Sequence, residues 1–141
     1  MEYCNSIDRL FRIHAAATRA IQDALLKKGV SGLEVWDFAL LEQLHAKDTP
    51  QTVTTLVRAL SRPKPSITKA TNRLEKVGFI FKHRNADDGR STLCGLTPEG
   101  LKALEIFHDI HREIMKKLFK GVSLKHCNYM QISERMEKNL K

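Results

Sequence analysis

At 141 residues the chain is about one domain long, enough to bury roughly two-thirds of the surface of its unfolded form without a disulfide or metal staple. Its 42% apolar and 28% charged residues exclude wholesale disorder and a collagen-like or linker-like chain, and no apolar run approaches the roughly 18 residues of a membrane span. A net charge of +8 makes a polyanion the first class of partner to consider, nucleic acid ahead of an anionic membrane surface.

The first residues, Met1 to Asp8, lack the apolar stretch of a secretory signal, so a cytosolic chain with thiol cysteines is expected. Ile7, Leu10, Phe11, His14, Thr18, Ile21 and Leu25 recur at spacings of three and four. They predict an amphipathic helix over about residues 6–28, ended by Gly29 and Gly32. Ser31 with Glu34 has the form of a capping box and predicts the start of a second helix. That helix carries Leu33, Trp36, Phe38, Leu40, Leu41 and Leu44, apolar on several sides as a buried central helix is. Lys47-Asp48-Thr49-Pro50 breaks it.

Val53, Leu56, Val57 and Leu60 share one face of a short helix. Arg62-Pro63-Lys64-Pro65 is a turn, because proline disfavours helix at the residue before it, and Pro65 suits the first turn of the next helix. Ile67, Ala70, Thr71, Leu74 and Val77 form the inward stripe of that helix, which Gly78 closes. Two short helices joined by a tight turn have the form of a helix-turn-helix. Phe79-Ile80-Phe81 and Thr92-Leu93-Cys94-Gly95-Leu96 then favour strands, with a hairpin signal in the Asp-Gly pair of Asn85-Ala86-Asp87-Asp88-Gly89. Thr97 as N-cap and Pro98 behind it start a long helix striped by Leu101, Leu104, Phe107, Ile110, Ile114 and Leu118. Gly121 and Ser123 separate a final helix marked by Tyr129, Ile132, Met136 and Leu140.

The fold class is therefore mainly α with a small β-hairpin wing (α+β). It is a winged helix-turn-helix with N- and C-terminal dimerisation helices, whose stripes exceed what one small domain needs to cover. The chain reads as one unit, 1–141, with the winged helix-turn-helix at 33–98 and helical dimerisation regions at 1–30 and 101–141. Charge is concentrated in the central part: residues 52–95 hold nine basic side chains against three acidic ones, most of the net excess. A solvated basic face is the plain alternative to a nucleic-acid surface.

Four stretches, in order and at matching spacing, resemble the MarR family of bacterial transcription regulators over about residues 6–120. They are Leu33-Glu34-Val35-Trp36 with Leu40, Leu41 and Leu44; Leu56-Val57-Arg58-Ala59-Leu60 with Ser66-Ile67-Thr68-Lys69; Leu74 to Ile80; and Asp88-Gly89-Arg90-Ser91 with Leu96-Thr97-Pro98-Glu99-Gly100. The resemblance implies a cytoplasmic, nucleoid-associated bacterial homodimer whose first and last helices intertwine. It would bind a pseudo-palindromic double-stranded operator, as a repressor relieved by a small ligand or by oxidation, without a cofactor or a membrane partner.

The DNA-binding candidates follow from helix geometry. At 100° per residue, the face of the second short helix opposite its core stripe carries Pro65, Lys69, Asn72 and Lys76, flanked by Ser66, Thr68 and Arg73, with Lys64 just before it. Asn72 suits adenine and Lys69 or Arg73 suits guanine, while Ser66, Thr68 and first-turn amides suit phosphate. The wing adds Lys82 and Arg84 as phosphate-neutralising cations, and Arg90 for the minor groove. The resemblance implies that Asp88 steadies Arg90.

His14 and Trp36 are candidate ligand-pocket residues, although His14 on an apolar stripe reads more simply as a satisfied core histidine. His108 and His111, one turn apart, would make a metal-responsive alternative if Asp109 or Cys127 joined them. No metal site is assigned. Cys4 near a helix start, Cys94 and Cys127 are the thiols available to oxidation. No P-loop, HExxH, GxSxG or dinucleotide motif is present, so no enzymatic activity is expected. A protein-interaction module without DNA binding is the remaining alternative.

Overall fold

The structure is a computed structural model that describes residues 2–121 together with 138 and 139, with the backbone alone for residues 2–7. In chain order its elements are α1 (Glu2–Lys27), α2 (Asp37–Lys47), β1 (Gln51–Thr52), α3 (Val53–Leu60), α4 (Lys64–Lys76), β2 (Ile80–Arg84), β3 (Thr92–Leu96) and α5 (Pro98–Leu118). The five described helices and the small sheet make the mainly α, winged helix-turn-helix architecture expected from the sequence. The stripe of Tyr129, Ile132, Met136 and Leu140, with Cys127, lies outside the described residues, as does the side chain of Cys4.

The core gathers around α2. Phe38, Leu40, Leu41 and Leu44 are buried among Leu56 of α3, Ile67, Ala70 and Leu74 of α4, and Ala103 and Leu104 of α5. Phe38 stacks flat on Phe107 of α5, with ring centroids 4.4 Å apart. On α1 only the C-terminal part joins this core, through Ile21 and Leu25.

One local expectation is corrected. Ser31 does not cap the second helix, which begins at Asp37. The preceding residues instead form a turn in which the amides of Asp37, Phe38 and Ala39 donate to the carbonyls of Glu34, Val35 and Trp36. The Asp37 carboxylate reaches back to accept the Glu34 amide at 2.9 Å. The expected hairpin is present, with a longer connection than the two residues of a primed turn. Residues 85–91 connect the strands, the Asn85 amide donates to Ser91 O at 3.0 Å, and Gly89 is not in the left-handed region that a primed turn requires.

One element had no sequence signal. Gln51 and Thr52 add a third, two-residue strand, giving the antiparallel order β1-β3-β2 with Gln51 opposite Cys94. Thr52 then caps α3, its hydroxyl accepting the Thr55 amide at 3.1 Å. Between α3 and α4 the chain turns at Ser61, which adopts a left-handed φ of 49°. Pro63 is the N-cap of α4, so that helix opens one residue before Pro65. Thr97 caps α5 as expected, accepting the Gly100 amide at 3.0 Å.

Candidate nucleic-acid interface

The core stripe of α4 fixes what its other side can present. With Ile67, Ala70, Thr71 and Leu74 buried, the helix exposes Lys64, Pro65, Thr68, Lys69, Asn72 and Lys76. Arg84 and Arg90 are exposed on the wing beside it. The result is a convex helix flanked by a hairpin, with an outer face rich in donors and cations.

Not every candidate points outward. Arg73 forks onto Asp37, with Nε donating to Oδ2 at 3.0 Å and Nη2 to Oδ1 at 2.8 Å. Asp37 is fully buried, and Glu34 adds a looser contact to Nη1 at 3.4 Å. The hydrogen bond to Asp37 is the main cause that raises the Arg73 pKa above its ordinary value. Arg73 therefore fastens α4 to α2, and its guanidinium is turned away from the exposed face on which it was expected. The fork missed by pattern reading had one signal: Asp37 is an acid wedged between Trp36 and Phe38 at the head of an apolar run.

Lys82 is also engaged. Its Nζ donates to Asn72 Oδ1 at 2.6 Å and lies 2.9 Å from Glu75 Oε2, so the wing strand is tied to the outer face of α4. At the start of α4, the amides of Ser66 and Ile67 both donate to Pro63 O, and the Thr68 hydroxyl donates to Lys64 O. Pro65 has no amide hydrogen, so the helix start offers fewer free donors to a phosphate than a helix without proline would. Asp88 steadies the backbone before the wing arginine: its Oδ1 accepts the Arg90 amide at 3.1 Å.

The other singled-out residues fall elsewhere. Trp36 donates to Glu34 Oε2 at 2.7 Å and carries the Arg62 guanidinium over its ring at 4.6 Å, which links the helix-turn-helix turn to the head of α2. His14 is exposed on α1, not buried in the core. An open groove of about 980 Å³ runs between α1 and α5, floored by Ala16, Ala17, Ala20 and Ala24, and neither His14 nor Trp36 lines it. His108 pairs with Glu42 of α2, and His111 lies against Phe107. Among the described residues no three His, Cys, Asp or Glu side chains converge as a metal site would need. Cys94 is buried, and burial pushes its thiol pKa up, away from the thiolate that oxidation needs. No described helix is long and apolar enough to cross a membrane.

A short helix against a core helix, a turn, an exposed basic helix and a basic hairpin together define a winged helix-turn-helix protein. A sequence model of the MarR family matches residues 31–91, the stretch from the loop before α2 to the wing. That segment is similar to MarR-family regulators. The chain is 26% identical over 115 residues to the HTH-type transcriptional regulator YkoM of Bacillus subtilis, covering 81% of this chain and 74% of that one. Among solved structures, the transcriptional regulator BldR of Sulfolobus solfataricus superposes with a TM-score of 0.74 at 21% identity, over 99% of this chain and 94% of BldR. The organohalide-sensing regulator RdhR-CbdbA1625, in its 2,4-dichlorophenol-bound form, gives 0.75 at 20% identity over 96% of this chain and 75% of its own. A single-residue mutant of S. aureus MepR, bound to an oligodeoxyribonucleotide, gives 0.59 at 24% identity over 96% and 98%.

Proposed function

We propose that the chain is a homodimeric transcription regulator that binds a pseudo-palindromic duplex operator through α4 and the wing, and represses until a small ligand releases it. The observation that carries this reading is the exposed set Lys64, Lys69, Lys76, Arg84 and Arg90, all on one recognition helix and its wing. Lys69, with Asn72, faces the bases in the major groove; Lys64, Ser66 and Arg84 hold phosphates, Thr68 joining them by turning its hydroxyl away from Lys64 O, and Arg90 enters the minor groove with Asp88 behind it. The oligodeoxyribonucleotide on MepR and the dichlorophenol on RdhR-CbdbA1625 support the two halves of the reading, DNA and a small apolar effector. For the effector site the α1–α5 groove is favoured over His14 and Trp36, because it is apolar-floored and of ligand size. The buried Cys94 favours a ligand over oxidation at that thiol.

Fluorescence anisotropy with duplexes selected from random DNA tests the reading. Five exposed cations per subunit predict that log K falls with log salt at a slope steeper than about −4, given about −0.9 per neutralised phosphate. Binding that is indifferent to salt, or no selected duplex, would overturn it.

A further inference from the structure

The tie between Lys82 and Asn72 carries a consequence for which base the recognition helix reads, and it rests on the DNA-binding reading above. Lys82 is not a loose wing cation. In β2 it lies two residues from Ile80, so strand alternation points both side chains to the α4 side, Ile80 into the core and Lys82 onto its rim. The hairpin holds the position rigidly, with Lys82 paired opposite the buried Cys94 of β3. Only 18% of the Lys82 side chain is exposed, and two of its three N–H donors are occupied by Asn72 Oδ1 and Glu75 Oε2.

An ammonium has no acceptor, so chemistry alone decides which end of the Asn72 amide faces it: the oxygen. That leaves the NH2 group of the exposed Asn72 and the third N–H of Lys82 as the donors not engaged in these two contacts. A free asparagine pairs with adenine by accepting from N6 while donating to N7. Here the accepting oxygen is already held by a cation, and the adenine N6 hydrogens would have to approach it against that positive charge. Guanine presents two acceptors, O6 and N7, to the same edge. We propose that Lys82 converts Asn72 from an adenine reader into half of an all-donor pair that selects guanine, with Glu75 anchoring the ammonium. This replaces the adenine assignment for Asn72 and the phosphate assignment for Lys82.

The test is selection from a random duplex pool by the full chain and by two variants, Asn72→Ala and Lys82→Met, the latter keeping the aliphatic stem. The wild-type pool is expected to hold one guanine per half-site whose enrichment disappears with Asn72→Ala. With Lys82→Met the same position is expected to shift toward adenine, by roughly 5- to 150-fold in relative affinity, while the other positions keep their preferences. A DNA-side probe is independent of folding: 7-deazaguanine at that position is expected to weaken binding of the wild type and leave Asn72→Ala unaffected. Adenine at the Asn72-dependent position in the wild-type pool would overturn the assignment and leave DNA binding standing. So would a Lys82→Met variant that weakens all sequences alike. A wild-type pool with no enriched sequence would instead remove the DNA-binding reading, and this assignment with it.

Discussion

Gly100 shows how a single hydrogen atom in place of a side chain sets the approach of two elements. It sits in the first turn of α5, and a Cβ built there would lie 2.0 Å from the carbonyl oxygen of Phe79 and 2.9 Å from Leu96 Cδ1. That carbonyl is itself fixed, because it accepts the Thr97 amide at 3.1 Å, and the Thr97 hydroxyl is held to Gly78 O at 2.6 Å. Backbone cannot yield as a side-chain tip can. Gly100→Ala is therefore expected to cost about 1–3 kcal/mol, the range for forced overpacking, read as a lower midpoint in urea denaturation. Gly89 at the wing tip has open space around it and a permissive backbone, so Gly89→Ala serves as the control and should leave the midpoint in place. Equal shifts in the two variants would show that the Phe79 contact does not decide the matter.

At the scale of elements, the orientation of α4 depends on a charged fork as well as on its apolar stripe. Arg73 joins α4 to the head of α2 across 36 residues of sequence. Its partner Asp37 is fully buried, and also accepts the Glu34 amide. Removing the cation leaves a carboxylate without its counter-charge in the core. Arg73→Gln is expected to lower stability by about 3–5 kcal/mol, as breaking a buried pair from one side does. The double variant Arg73→Met with Asp37→Leu is expected to recover part of that loss, because replacing both charges removes the desolvation penalty along with the attraction, while the Glu34 amide still loses its acceptor. Urea titrations of the single and double variants measure both effects. A single-variant loss under about 1 kcal/mol would make the fork a surface-like pair and not an orienting one.

For the molecule as a whole, the two most exposed large apolar side chains among the described residues stand in the N-terminal part of α1. Leu10 is 62% exposed, Phe11 70% and Ile13 42%. The same helix is bound to the core only through its last turns, beside the open α1–α5 groove. Soluble monomers rarely keep such a contiguous patch in water. Pairing of two copies through it would also set two recognition helices about one DNA turn apart, roughly 34–36 Å. Sedimentation of the full chain at micromolar concentration is expected to give the mass of two chains. Phe11→Glu should shift that equilibrium toward one chain and abolish binding to a two-half-site operator while helical content is retained. A wild-type chain that sediments as a monomer and still protects both half-sites would overturn the dimer.

Much of this was already in the amino-acid order. The stripe from Ile67 to Leu74, the prolines at 63 and 65, the Thr97 cap and the β-favouring runs each act through neighbours within a few residues, where periodicity and sterics decide. They determined the helix-turn-helix, the wing and the outward face of α4. What pairs with what across the molecule was decided only by the tertiary structure. Pattern reading placed Arg73 and Lys82 among free cations, yet the fold turns one onto Asp37 and the other onto Asn72 and Glu75. It read Ser31 and Glu34 as a cap, yet Glu34 faces Trp36 and Arg73. The two-residue strand at Gln51 exists only because β3 lies alongside it. Long flexible side chains and isolated short strands take their conformation from whatever the packed core brings within reach, and helical or strand periodicity does not encode those distances.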